Sequence, residues 1–153
     1  MISIKKILFL LFSLLIIFVG WQFYSNQSAT DLRNVPDRSV IEWQLNSEEL
    51  KVEVVNSAES IEFGLGGREK LDVNDIGEEG MLFVFPEESR PTFWMKGMIF
   101  PIDIIWLSEG EIVGVERNVQ PPESEGGETE LELYLAPQAV DMVLETEPGR
   151  VSW

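Results

Sequence analysis

The stretch from Arg90 to Leu107, RPTFWMKGMIFPIDIIWL, restricts the folds open to this chain more than any other part of it. Two apolar runs flank the break GMIFP, and set into them are one lysine, Lys96, and one aspartate, Asp103. Short apolar runs closed by proline and glycine are the pattern of buried strands. A carboxylate in such a strand is costly unless it is ion-paired or accepts hydrogen bonds, so Asp103 requires a partner. Lys96 is the nearest candidate along the chain. The expected arrangement is a hairpin of Thr92–Lys96 with Ile102–Leu107 across a loop of about five or six residues, which brings Lys96 and Asp103 to one end.

Two readings of that end stay open. In one, Asp103 ties down the turn and Lys96 screens its charge. In the other, Trp94, Lys96 and Asp103 line a concavity in which the indole supplies stacking area and the charges orient a polar ligand, with Phe85 and Trp106 as further aromatic wall.

The rest of the chain reads as strands separated by turns. Leu50 to Val55 alternates, with Leu50, Val52 and Val54 on one face and Lys51 and Glu53 on the other. GMLFVFP, from Gly80 to Pro86, is continuously apolar and suits a strand buried on both faces. Further strands are expected at Ile112–Val115, Leu131–Leu135 and Ala139–Glu145, and Val40–Leu45 reads as a first strand or a strap over the core. Asn56 with Glu59 resembles a capping box for a short helix, on which Ala58, Ile61 and Leu65 share a face before Gly66 and Gly67 stop it. GLGGR fits neither the dinucleotide nor the P-loop spacing, so a helix-ending turn is expected there. About six or seven short strands with one helix predict a mainly β, antiparallel-rich domain, a closed roll or small barrel.

Domain organisation follows from hydropathy. Residues 1–24 hold Lys5, Lys6 and the apolar run Ile7–Phe23, long enough at about 1.5 Å per residue to span a bilayer as an anchor. A signal peptide has a shorter apolar core and a small-residue cleavage site, and SNQSAT is a poor one. The two lysines place the N-terminus in the cytoplasm and the remainder outside, membrane-anchored. Residues 25–48 form a polar linker or lead-in, and 49–153 the folded domain.

Charge and composition exclude several functions. The chain carries 27 acidic against 11 basic residues, a net charge of −16, which opposes nucleic-acid binding. It has no histidine and no cysteine, which removes thiol nucleophiles, disulfides, the usual zinc ligands and imidazole-dependent triads. No cofactor and no metal site are expected. Glu123, Glu125, Glu128 and Glu130 lack the Asp/Asn spacing of a Ca²⁺ loop and read as a solvated acidic segment.

FGLGGREKL, GMLFVF, FWMKGMIFPIDIIWL, GEIVGVERNV and VLETEPG together resemble, in order and spacing, the bacterial and archaeal domain-of-unknown-function family 192, from Leu50 to about Gly149. The resemblance implies a compact, mostly β domain, often behind a signal or anchor, and no known activity. It also implies a further closing stretch, I-K-x-G-D, past the VLE…G segment. Against that pattern the chain, which stops at Trp153, is expected to be a fragment or to do without the last strand. Relatives often hold Pro and Cys in the 120s loop, which is acidic here.

The expected function is therefore a membrane-tethered, extracytoplasmic binding or envelope-accessory domain for a polar small molecule, saccharide or peptide. The alternative is a hydrolase or lyase that uses Asp103 with a second carboxylate such as Glu116, and Lys96 as electrostatic stabiliser.

Overall fold

The computed structural model describes residues 29–122 and 131–152. A single helical turn, α1 (Ala29–Leu32), precedes β1 (Val40–Leu45), β2 (Glu48–Val55), α2 (Ala58–Phe63), β3 (Gly80–Ser89), β4 (Thr92–Phe93), β5 (Ile102–Ser108), β6 (Glu111–Val119), β7 (Tyr134–Leu135) and β8 (Val140–Thr146). The domain is mainly β with one short helix after β2, as expected. Val40–Leu45 is a strand and not a strap. Six strands form one sheet in the order β1-β2-β3-β8-β5-β6, and β4 pairs with β7 apart from it. The expected closed roll or barrel does not form, because β1 and β6 end the sheet.

The pairing is antiparallel except between β2 and β3, which run parallel. A parallel neighbour needs a crossover. Here the crossover holds α2 and residues 64–79, and Ile61 and Leu65 from it pack on one face of the sheet. The last strand, β8, sits in the middle of the sheet, between β3 and β5, and all seven of its residues are buried.

The sheet therefore has a core on each side. One contains Met81, Phe83, Ile104, Trp106 and Val143, covered by Leu65, Leu71, Met95 and Met98. The other contains Trp43, Val52, Val54, Leu82, Ile105, Leu107 and Leu144, covered by Leu32 and Val151. The alternation expected of β2 holds, with Leu50, Val52 and Val54 facing the second core. GMLFVF is buried throughout, and pairing with β8 loses register between Val84 and Ser89, where Pro86 has no N–H to give the ladder.

Helix α2 is capped one residue later than expected. Ser57 is the N-cap and Ser60 completes the capping box, because the Asn56 amide is committed to the carbonyls of Leu32 and Val35. Asp37 accepts from the N–H groups of Asn56 and Ser57 and from the hydroxyls of Ser57 and Ser60. Partial burial opposes its charge, but those donors outweigh it and hold the carboxyl down at about 2. The helix ends at Gly64, earlier than Gly66, with φ 50° and ψ −132°, a conformation essentially reserved for glycine.

The expected hairpin of Thr92–Lys96 with Ile102–Leu107 is absent. β4 stops at Phe93 and pairs with β7, while β5 pairs with β6 and β8. Residues 94–101 make an excursion instead of a tight turn, which buries Met95 and Met98 over the first core. Ile7–Phe23 and the acidic residues Glu123 to Glu130 lie outside the described residues. Among the described residues, no helix is long and apolar enough to cross a membrane, and no cluster of three or more acidic side chains is placed to hold a metal ion.

Candidate functional site

Loss of the hairpin separates the three sequence-derived candidates. Trp94 and Lys96 line a cleft of about 230 Å³ on the first face of the sheet. Asp103 is not among its lining residues; alternation along β5 puts it on the face of Ile105 and Leu107. It is 2% exposed, and its two oxygens accept the N–H groups of Asn118 at 2.7 Å and Gly149 at 2.9 Å. Both donors sit at left-handed backbone positions, φ 48° and 77°. Asp103 thus pins a bulge near the end of β6 and the turn after β8 through one carboxylate. Its required partner is backbone, not Lys96.

Three pieces of chain and one residue of β8 build the cleft. The crossover supplies Ile61 to Gly66, β3 supplies Phe83 and Phe85, and the 91–98 segment supplies Pro91, Thr92, Phe93, Trp94, Lys96 and Met98. The glycines of GLGGR hold the first and third pieces together. A Cβ on Gly66 would lie 3.3 Å from the Lys96 carbonyl oxygen, and the Gly67 N–H donates to the Gly97 carbonyl at 2.9 Å. A Cβ on Gly64 would meet the Phe83 ring at 3.2 Å, so its absence lets the crossover settle onto the cleft wall. That wall is set by edge-to-face contacts of Phe93 with Phe83, centroids 5.0 Å apart, and with Trp106 at 5.4 Å. Trp106 is behind the wall, buried, and Phe85 is part of it, so one of the two expected aromatics faces the cleft. Trp94 is 47% exposed and stands at the mouth.

The remaining lining residue was not singled out from the sequence. Glu145 lies in β8 between Met81 of β3 and Ile104 of β5, and is 5% exposed. The opposing charge that acts on it is Arg68, whose fork is already committed to Glu53, Nη1 to Oε2 at 2.7 Å and Nη2 to Oε1 at 3.0 Å. Burial pushes the Glu145 carboxyl up to about 8, and the attraction of Arg68 offsets only part of that. Glu116, the second carboxylate considered for Asp103, pairs with Ile104 and so faces away from it. Glu116 acts on Tyr134, whose hydroxyl burial, the Glu132 carboxylate and Glu116 together push up to about 12.

Residues 41–152 match DUF192, described as an uncharacterized ACR. The chain belongs to the DUF192 family. Two solved structures share the fold of this DUF192 chain. One, from Sinorhizobium meliloti 1021 and provisionally described as a transcription regulator, is 28% identical, with 67% of this chain and 71% of that one covered and a TM-score of 0.55. The other, a protein of unknown function from Novosphingobium aromaticivorans, is 22% identical, with 72% and 71% covered and a TM-score of 0.55; it shows the fold alone. A search of the curated proteins finds no match. Within this DUF192 chain, FWMKG supplies the cleft mouth while PIDIIWL supplies a central strand, so the two halves of the motif have separate roles.

Proposed function

We propose that this DUF192 domain is a binding module whose site is the cleft under Trp94, taking a polar small molecule or the exposed group of a peptide or saccharide. One observation carries the proposal: Trp94 and Lys96 converge with Phe83, Phe85 and Phe93 on a single concavity that also contains a buried carboxyl. Apolar walls with a few fixed polar groups are the usual composition of a ligand site. Ile7–Phe23 is the proposed membrane anchor, holding the domain outside the cytoplasm.

The geometry does not favour the hydrolase or lyase alternative, because Asp103 faces away from Lys96, Glu116 and the cleft and spends both oxygens on backbone donors. The transcription-regulator description of the S. meliloti protein is not adopted, since a net charge of −16 opposes binding to phosphates. The test is a calorimetric and NMR screen of the full-length chain beside Trp94→Ala against short peptides and oligosaccharides. Binding that Trp94→Ala weakens supports the site; binding that it leaves unchanged moves the site elsewhere.

A further inference from the structure

Glu145 is an unusual group to find in this cleft. It sits in the central strand of the sheet, flanked by Met81 and Ile104, and is 95% shielded from solvent while lining the cavity. Buried carboxylates are ordinarily ion-paired or hydrogen-bonded, as Asp103 and Glu53 are here. Among the described residues, Glu145 has only the Coulombic pull of Arg68, a guanidinium hydrogen-bonded to Glu53. The groups around it are few. Arg68 and Glu62 come from the crossover, Lys96 from the mouth, Glu53 from β2 and Glu116 from β6, and Met81 and Ile104 beside it are apolar.

The remaining surfaces complete the chemistry. Phe83, Phe85, Phe93 and Trp94 offer apolar and π surface, which tolerates a cation and an alkyl stem equally well. The field of a chain with net charge −16 concentrates cations at its surface. We infer that the cleft selects a ligand bearing a primary ammonium on an apolar stem, the ammonium seated on the Glu145 carboxylate and the stem lying between Phe83, Phe93 and Trp94. This inference rests on the binding reading above and gives it a ligand class.

Seating the ammonium has a balanced proton account. With the Glu145 carboxyl pushed up to about 8, the empty cleft at pH 7 holds it mainly protonated. An arriving R–NH₃⁺ keeps its three protons, Glu145 gives its proton to the buffer, and a carboxylate–ammonium pair remains, so binding releases close to one proton per ligand.

The test uses the full-length chain and two probes of one stem length, n-butylammonium chloride and n-butanol. Both are titrated by calorimetry at pH 7 in phosphate and in MOPS, with the Trp94 indole N–H followed by NMR. Expected are a shift of the Trp94 signal, butylammonium binding about ten-fold or more tighter than butanol, as befits a charge-assisted hydrogen bond, and close to one proton released per butylammonium. That release should vanish at pH 9.5. Glu145→Gln should keep the butanol response and lose both the ammonium preference and the release. If the two probes bind equally, or butylammonium binds without releasing a proton, the ammonium assignment is overturned while the cleft remains a binding site. If neither probe moves the Trp94 signal, both the assignment and the cleft reading fail.

Discussion

Asp103 and Glu145 lie one ladder step apart, in neighbouring strands on opposite faces of one sheet. They are 2% and 5% exposed. Asp103 accepts two backbone N–H groups and holds two turns in place. Glu145 faces a cleft, and burial is the largest influence on its carboxyl. Equal burial therefore carries no single meaning. A buried carboxylate is structural when backbone donors surround it, and it is a candidate for ligand contact when its neighbours are apolar and a cavity adjoins it.

The contrast is broken most forcefully at Asp103. Asp103→Ala takes the carboxylate acceptor from two part-buried N–H groups and should lower unfolding stability by about 3–5 kcal/mol in urea melts. A loss below about 1 kcal/mol would mean that the two turns hold without it. Glu145→Gln should move stability the other way. The folded carboxyl titrates near 8 against an ordinary value of 4.5, so the folded state keeps a proton that the unfolded state releases. Wild-type stability contributed by this group is complete below about pH 4.5 and falls as pH rises towards 8. The variant lacks that fall. It should match wild type near pH 4.5 and exceed it by about 2–3 kcal/mol at pH 7, and a gap independent of pH would contradict the burial-driven shift.

Smaller effects sharpen the picture of the cleft. Gly64→Ala forces a Cβ into a positive-φ position and against Phe83, and should cost about 1–2 kcal/mol in thermal melts and perturb the Phe83 ring signals. Trp94→Ala should change stability by less than about 0.5 kcal/mol, since the ring is nearly half exposed, while weakening whatever the cleft binds. A large stability loss there would make Trp94 a core residue instead of a mouth residue.

Much of this was legible in the residues before any fold was known. Alternation placed Val52 and Val54 in a core, and the unbroken run GMLFVF signalled a strand buried on both faces. The requirement that Asp103 have partners also held. Its partner's identity did not, because nearness along the chain favoured Lys96 while the actual donors, Asn118 and Gly149, are 15 and 46 residues away. Non-local pairing also hid the insertion of β8 between β3 and β5, and with it the importance of Glu145. In VDMVLET the period-two pattern puts Asp141 and Glu145 with Val143 on one face, which reads as a solvent face and so concealed the burial of Glu145. The cleft itself arises from the β4–β7 pairing and the contact of Gly66 and Gly67 with Lys96 and Gly97, neither of which leaves a periodic trace.

The most direct measurement is a ¹³C NMR titration of the side-chain carboxyls in the full-length chain, with the Glu145 signal assigned by its loss in Glu145→Gln. The account predicts a Glu145 midpoint near pH 8 in the empty cleft, moving down when butylammonium is added. A midpoint in the ordinary glutamate range, unmoved by the amine, would contradict it.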